Sequence, residues 1–287
     1  METFEDYSDD HSLFAIACLD PMDPGRNARA SRAWLERGWE DLFRDLAHAV
    51  SSRDPRASAH ITACATERDP LRARRRTPAR WNQALELIAT NPVVVDTTAT
   101  IEGKHSSYAH MHLTVTRVVD NNPWVNLVVH AMLGQTFDPA EYDRWVGFLA
   151  GVLDQADPVY AEISYDRGWD LDTELDKALR RDPDQSMEQS RQLLRGYSWV
   201  TVIPQELVER LGGAEAIEAA GAAAEVRRLA AGGLLLRATR TPEEYDEAAM
   251  KRLFQLVAPV LPEGRPRDLP GWPTRHQVVY EDAATYR

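Results

Sequence analysis

The 287-residue chain has only two cysteines, Cys18 and Cys64, and each stands inside an apolar run. Their spacing fits neither a zinc site nor a redox motif, so we expect two buried free thiols. No run approaches the roughly 20 apolar residues that cross a bilayer, which predicts no membrane contact. The first ten residues carry five acids and no base. A signal peptide has the opposite charge pattern, so we expect a cytoplasmic protein.

Common catalytic motifs are also missing. The chain has no Gly-x-Ser-x-Gly nucleophile elbow, no Walker loop and no dinucleotide-binding fingerprint. Gly232 and Gly233 lead an apolar segment, but the third glycine and the following helix of a phosphate-binding turn are absent. We therefore predict a protein that is not an enzyme and that binds no cofactor.

Basic residues are scarce relative to acidic ones, 33 against 45, and the formal net charge is −12. Such a charge disfavours direct contact with nucleic acid or anionic lipid and favours a basic partner. One segment is nevertheless rich in arginine: Arg68, Arg72, Arg74, Arg75, Arg76 and Arg80. Because aromatic residues are not interleaved there, the pattern favours a solvated loop that pairs with nearby acids over a nucleic-acid site.

The remaining composition, 44% apolar and 27% charged, is typical of a soluble globular protein with a substantial core. Alternating segments predict strands, and amphipathic segments predict helices that pack on a sheet. The predicted fold is α+β, with two similar halves, each a mainly antiparallel sheet with helices packed on one face. We place a flexible acidic leader at 1–12, the halves at 13–157 and 158–262, and a proline-rich extended tail at 263–287.

One short pattern occurs in both halves. A cap residue, Pro, any residue, Glu, Tyr and Asp begin at Asp138 and again at Thr241, each time before a long amphipathic helix. These residues are common at helix starts, so two similar starts would explain them. An ancestral duplication of one half is the alternative.

His110 and His112 have the only spacing that suggests a metal site. Alternate strand residues point the same way, so the two rings would share a face with Tyr108 and Thr114. Zinc takes at least three protein ligands, and no carboxylate completes the set at a recognisable spacing. We predict no metal site and a polar outer sheet face.

An acidic segment follows a predicted strand at 159–165, and Trp169 lies in its middle. Acidic surfaces are complementary to the basic clefts of nucleases, and a tryptophan can supply the desolvated anchor of an interface. A solvated acidic rim is the simpler interpretation for Glu162, Asp166 and Asp170. The partner-binding residues that we predict are Glu162, Asp166, Trp169, Asp170, Asp172, Glu174 and Asp176.

Residues 195–213 predict a strand, a short helix after Pro204 and a glycine stop. With the later Gly-Gly strand and a final helix that ends near Pro262, this region resembles the C-terminal half of the type VI immunity family. Members are bacterial proteins associated with effectors that carry a VRR-Nuc nuclease domain. A Gly-Asp-x-Asn-like turn expected after that strand is replaced here from Thr239 onward, so the chain departs from the family pattern and resembles a divergent, actinobacterial-like branch. The residues that carry the resemblance are Gly196, Trp199, Leu211, Gly212, Gly213, Gly232 and Gly233.

The resemblance implies a noncatalytic protein that binds a cognate basic toxin, a nuclease, and occludes its active site. Two alternatives from other classes stay open. One is a hydrolase or transferase that uses carboxylate and histidine side chains in a cleft between the halves. The other is a scaffold or assembly protein whose proline-rich tail docks on another chain, and a homo-oligomer is compatible with it.

Overall fold

The computed structural model describes residues 12–102, 108–117, 124–133, 138–165, 172–267 and 278–287. Predictions that fall on the leader before Ser12 therefore lie outside the described residues. The strands are β1 (Ser12–Leu19), β2 (Ala57–Cys64), β3 (Arg74–Arg75), β4 (Val94–Ile101), β5 (Tyr108–Arg117), β6 (Val125–Leu133), β7 (Pro158–Tyr165), β8 (Val200–Ile203), β9 (Glu225–Arg228) and β10 (Leu234–Arg237).

The helices frame this sheet, and four of the five described in the second half have only six residues. They are α1 (Pro24–Arg37), α2 (Arg44–Ser51), α3 (Pro78–Ile88), α4 (Ala140–Leu153), α5 (Glu174–Leu179), α6 (Pro183–Glu188), α7 (Gln205–Arg210), α8 (Ala214–Ala219) and α9 (Glu247–Val257). A π-helical turn, Gly38–Leu42, joins α1 to α2. No helix among the described residues is long and apolar enough to span a membrane.

All ten described strands belong to one sheet, in the order β3-β2-β4-β5-β6-β1-β7-β8-β10-β9. Every strand pair is antiparallel. The α+β prediction with a mainly antiparallel sheet is confirmed. The two predicted halves share this sheet, because β1 of the first half pairs with β7 of the second, from Leu13 opposite Tyr165 to Leu19 opposite Pro158.

The sheet has a hydrophobic core on each face, and β1 contributes to both. Leu13, Ala15 and Ala17 pack into the core that α1 to α4 cover. Phe14 and Ile16 face the opposite core, which α7, α8 and α9 cover. Because successive strand residues point to opposite faces, a strand that is apolar throughout is buried on both sides. Each half thus covers a different face of the common sheet.

One local prediction in the first half is wrong. Tyr108 does not share the face of His110 and His112, because a bulge between Tyr108 and His110 shifts the register and turns the tyrosine into the first core. In the second half, the alanine-rich segment 214–225 is interrupted at Gly221. Helix α8 ends at Ala219, Gly221 has a φ of 62°, and the edge strand β9 follows.

The predicted extended tail is also more compact at its end. Ala283–Tyr286 forms a 3-10 turn. Val278 and Ala283 are buried in the second core, and the Val279 N–H donates to Tyr197 Oη at 2.7 Å. The last described residues therefore pack on the second half of the chain. Both cysteines are buried and free, as predicted.

Candidate partner-binding site

The structure divides the predicted acidic surface into buried and accessible carboxylates. Glu162 is 3% exposed and Asp176 is 0% exposed, so the interpretation of Glu162 as part of a solvated rim is wrong. Asp172 and Glu174 are half-buried. The other three predicted contacts, Asp166, Trp169 and Asp170, lie outside the described residues.

Asp176 is buried because it holds α5 against the rest of the second half. The Thr173 side chain caps α5, and the Asp176 N–H donates to its Oγ1 at 3.0 Å. Asp176 Oδ1 accepts hydrogen bonds from Ser186 Oγ at 2.7 Å and from Arg181 Nη1 at 2.9 Å. Its Oδ2 accepts one from Arg195 Nη2 at 3.2 Å. A buried carboxylate needs such partners, since its desolvation is costly without them.

Arg195 is the cation at the centre of this network, and the sequence interpretation assigned it no role. Its side chain is 1% exposed. Its Nη1 lies 3.2 Å from Cys18 Sγ on β1, and its guanidinium carbon lies 5.8 Å from the centroid of the Tyr160 ring on β7. The available signal was its position between the buried residues Leu194 and Tyr197, where an arginine requires a counter-charge.

Glu162 lies on β7 and also makes an interior contact. Tyr160 Oη donates to Glu162 Oε2 at 2.5 Å, and Thr201 on β8 is its cross-strand neighbour. Both interior carboxylates therefore position strands and helices from within. A partner protein would contact side chains outside them.

The accessible acids lie on α5, on α6 and in the segment before α5. Glu174 Oε1 accepts a hydrogen bond from Lys177 Nζ at 2.9 Å. On α6, Asp182 caps the helix by accepting the Gln185 N–H at 3.0 Å. We call the half-buried and exposed acids Asp172, Glu174, Asp182, Asp184 and Glu188 the acidic α5–α6 surface. The sequence interpretation missed its last three members, although acids beside a helix-starting proline marked their position.

The residues that carry the family resemblance occupy structural positions. Trp199 is 1% exposed, and its Nε1 donates to the Thr239 carbonyl at 3.0 Å. Gly212 and Gly213 have φ values of 91° and 89° directly after α7, and Gly232 has a φ of 110°. A Cβ on Gly233 would lie 2.5 Å from the Ile203 carbonyl oxygen. Glycine at these four places is required by backbone conformation or by close approach.

Gly196 and Leu211, the other two motif positions, also have structural roles. A Cβ on Gly196 would lie 3.0 Å from Thr173 Cβ, so the chain before β8 packs directly on the N-cap of α5. Leu211 packs against the second core. The motif thus fixes the geometry around Asp176 and does not itself present a surface to a partner.

The histidine face of the first half forms a separate cluster. His112 contacts Asp96, and Thr114 Oγ1 donates to Asp96 Oδ1 at 3.0 Å. His130 lies opposite His112 across β5 and β6. Burial, with the nearby His110 and His112, lowers the pKa of His130 to about 4. Within the described ranges, no group of three or more His, Cys, Asp or Glu residues is arranged to hold a metal ion.

The same sheet registers keep this cluster apart from Glu162. Thr114 and Glu162 stand in one row across the face, but Val128 on β6 and Ile16 on β1 lie between them. Both intervening side chains belong to the second core. The described part of the chain therefore does not join the histidines and Glu162 in a cleft, and the hydrolase or transferase alternative gains no support from it.

Comparison with known proteins bears on the second half. Residues 178–270 match the family described as type VI immunity for VRR-NUC. The C-terminal half of the chain is therefore similar to the type VI immunity family, as its motifs predicted. All seven motif residues and Arg195 fall inside the matched range. Asp172, Glu174 and Asp176 precede it.

A solved structure extends the likeness of fold to nearly the whole chain. The Pseudomonas aeruginosa T6SS protein PA0821 superposes with a TM-score of 0.56 and covers 96% of this chain and 80% of its own. The two sequences are 13% identical, so this likeness concerns the fold alone. No curated protein sequence matches the chain.

Proposed function

We propose that the chain is a noncatalytic immunity protein that binds and neutralises a basic toxin, a nuclease, by occluding its active site. The observation that carries the proposal is the match of residues 178–270 to type VI immunity for VRR-NUC. The net charge of −12 supports it, because nuclease clefts that bind phosphate are basic and attract acidic surfaces. The proposed complex forms in the cytoplasm, where such a toxin would meet DNA.

The contact surface that we propose is the acidic α5–α6 surface. Its carboxylates are accessible, and the Asp176 network beneath holds their helices in place. A preorganised surface loses less conformational entropy on binding. The predicted contacts Asp166, Trp169 and Asp170 stay part of the proposal on sequence grounds. Glu162 and Asp176 are assigned to support instead of contact.

Co-expression with the product of the neighbouring gene tests the function directly, because the proposal expects that product to be the nuclease. The expected result is a stable complex after purification and a loss of DNA cleavage when the chain is added in equal amount to the nuclease. A neighbouring nuclease that remains fully active in the presence of the folded chain would disprove the proposal.

Two triple charge-reversal variants, one on the proposed surface and one elsewhere, test the surface assignment. Asp172→Lys, Glu174→Lys and Asp184→Lys together should weaken the complex by at least about 100-fold, since each reversal places a positive charge opposite a basic partner. The matched control is Glu40→Lys, Glu67→Lys and Glu86→Lys, three exposed acids of the first half. Equal weakening by both triple variants would show a net-charge effect and remove the surface assignment while leaving the function intact.

A further inference from the structure

An exposed arginine cluster at one edge of the sheet has no counterpart elsewhere in the described chain. We call Arg68, Arg72, Arg74, Arg75 and Arg80, which surround β3, the basic strip; Arg80 is half-buried and the others are exposed. None of the five forms an ion pair with a residue that the structure describes. The prediction that these arginines pair with nearby acids is therefore wrong within the described ranges.

The opposite edge of the sheet shows how this fold neutralises edge charges. On β9, Arg227 Nη2 lies 3.0 Å from Asp154 Oδ2, and Arg228 contacts Glu215. Charged residues on edge strands help to prevent aggregation, and β9 meets that need with charges that are paired within the chain. The arginines of β3, by contrast, have no ion pair with a described residue, so their charges remain available to a partner.

Arg76, next to the basic strip, anchors it to two tryptophans of the first core. The Arg76 guanidinium carbon lies 3.6 Å from the Trp39 ring centroid and 4.3 Å from the Trp81 ring centroid. Burial lowers the pKa of Arg76 to about 10. Arg80 Nη1 donates to the Arg75 carbonyl at 2.8 Å. The strip is therefore a preformed surface, which reduces the entropy lost when a partner binds.

The strand edge favours a polypeptide partner. The Arg76 N–H donates to the Ala59 carbonyl on β2 at 2.8 Å, so the N–H of Arg75, the neighbouring residue, faces away from β2. An extended segment can accept a hydrogen bond from this N–H, while the Arg75 carbonyl on the same side already accepts from Arg80 Nη1. Leu71, 75% exposed, offers an apolar contact beside it.

Single-stranded nucleic acid fits less well. Bases bind proteins by stacking on exposed aromatic rings. Here Trp39 and Trp81 are 8% and 9% exposed, and Arg76 already occupies their facing sides. The net charge of −12 also opposes a polyanion as long as a nucleic acid.

We propose that the basic strip is a docking surface for an acidic, extended polypeptide segment of a second protein. Carboxylates of that segment would pair with Arg72, Arg74 and Arg75, and an apolar side chain would cover Leu71. The strip lies in the first half, beyond the sequence that matches the immunity family, and the inference does not depend on the proposed toxin.

The test uses a fluorescent peptide of alternating Glu and Val residues, with its Lys and Val counterpart and oligothymidylate as comparison probes. The full-length chain should bind the acidic peptide in low salt, with a change in anisotropy that added salt reverses. Arg72→Glu, Arg74→Glu and Arg75→Glu together should weaken binding at least about tenfold, because each reversal replaces an attraction with a repulsion. Arg29→Glu, Arg252→Glu and Arg267→Glu carry the same charge change elsewhere on the exposed surface and should leave affinity within about twofold.

A variant with neutral side chains distinguishes loss of binding from loss of folding. Arg72→Gln, Arg74→Gln and Arg75→Gln together should reduce peptide affinity while the thermal unfolding midpoint stays that of the wild type. Failure of the wild-type chain to bind the acidic peptide would overturn the proposal. It would also be overturned by equal loss in the control triple variant, or by tighter binding of oligothymidylate than of the peptide.

Discussion

Arg195 and Arg75 are the same residue type in two opposite environments on one sheet. Arg195 is 1% exposed, and its guanidinium contacts Asp176, Ser186 and Cys18. Arg75 is exposed at the edge strand β3 and has no ion pair with a described residue. Burial forces the first arginine to satisfy its charge within the chain, whereas water satisfies the second and leaves it available to a partner.

The acids show the same division. Asp176 and Glu162 lie inside and connect elements, while Asp172 and Glu174 remain accessible. A contiguous acidic segment in the sequence therefore contains two kinds of residue. The following substitutions measure how sharply the two environments differ.

Removal of the buried Asp176 carboxylate should cause the largest loss of unfolding free energy. Asp176→Ala leaves Arg195 and Arg181 without their shared carboxylate, and breaking a buried pair costs about 3–5 kcal/mol of unfolding free energy. Urea unfolding followed by circular dichroism measures it. Glu174→Ala, two residues away, removes a half-buried i,i+3 pair with Lys177 and should cost about 0.5 kcal/mol. Similar losses in the two variants would contradict the division between buried and accessible acids.

His130 shows another consequence of burial. Unlike the Arg195 guanidinium, its imidazole favours the neutral form. Its folded-state pKa of about 4 lies below the ordinary 6.5, so the unfolded chain binds the proton first as pH falls. Stability from neutral His130 is thus present above pH 6.5 and is lost as pH falls toward 4. This term should remove about 2 kcal/mol of unfolding free energy between pH ~7 and pH ~5.

The variant His130→Leu isolates this term, because leucine does not titrate. The difference between the wild-type and variant pH profiles of unfolding free energy should account for the loss. Parallel profiles over that range would show that His130 takes up its proton equally well in the folded chain.

The paired edge strand should show a smaller effect. Asp154 accepts a hydrogen bond from Arg227 Nη2 at 3.0 Å and another from the Ala230 N–H at 3.0 Å. Asp154→Ala removes both partly exposed contacts and should cost about 1 kcal/mol. Thermal unfolding of this variant beside the wild type provides the measurement, and an unchanged midpoint would mean that the β9 charges are as free as those of β3.

The basic strip should give the smallest effect on stability. Arg74→Gln removes an exposed charge without an ion pair in the described chain, so unfolding free energy should change by less than about 0.5 kcal/mol. Arg76→Gln serves as the internal control, because its guanidinium stacks on Trp39 and Trp81 and should cost about 1–2 kcal/mol. A large loss from Arg74→Gln would identify the strip as a structural element.

Local patterns predicted most elements of the fold. Alternation predicted β2 and β5, and glycine spacing predicted the stop at Gly212 and Gly213, because both depend on neighbours along the chain. The β9 strand was missed because its partner, β10, comes from a later part of the chain. The face of Tyr108 was missed because a bulge is set by the pairing of two strands and not by either strand alone.

The candidate site was predicted less completely than the fold. Asp172 and Glu174 were identified from charge alone, and their accessibility agrees with a contact role that stays proposed. The burial of Asp176 could not be read from the sequence, since its partners Arg181, Ser186 and Arg195 come from three successive segments. Cys18, which completes the network, is 177 positions away from Arg195.

By itself, the sequence determined the acidic charge, the α+β class, the glycine positions and the family that the second half resembles. These features depend on composition and on short-range backbone preferences. The tertiary structure alone decided that both halves share one sheet. It also decided that Asp176 and Arg195 form an ion pair in the protein interior and that the β3 arginines remain exposed. Burial is created by residues brought together from distant parts of the chain, and burial determines whether a charge supports the fold or is free to meet a partner.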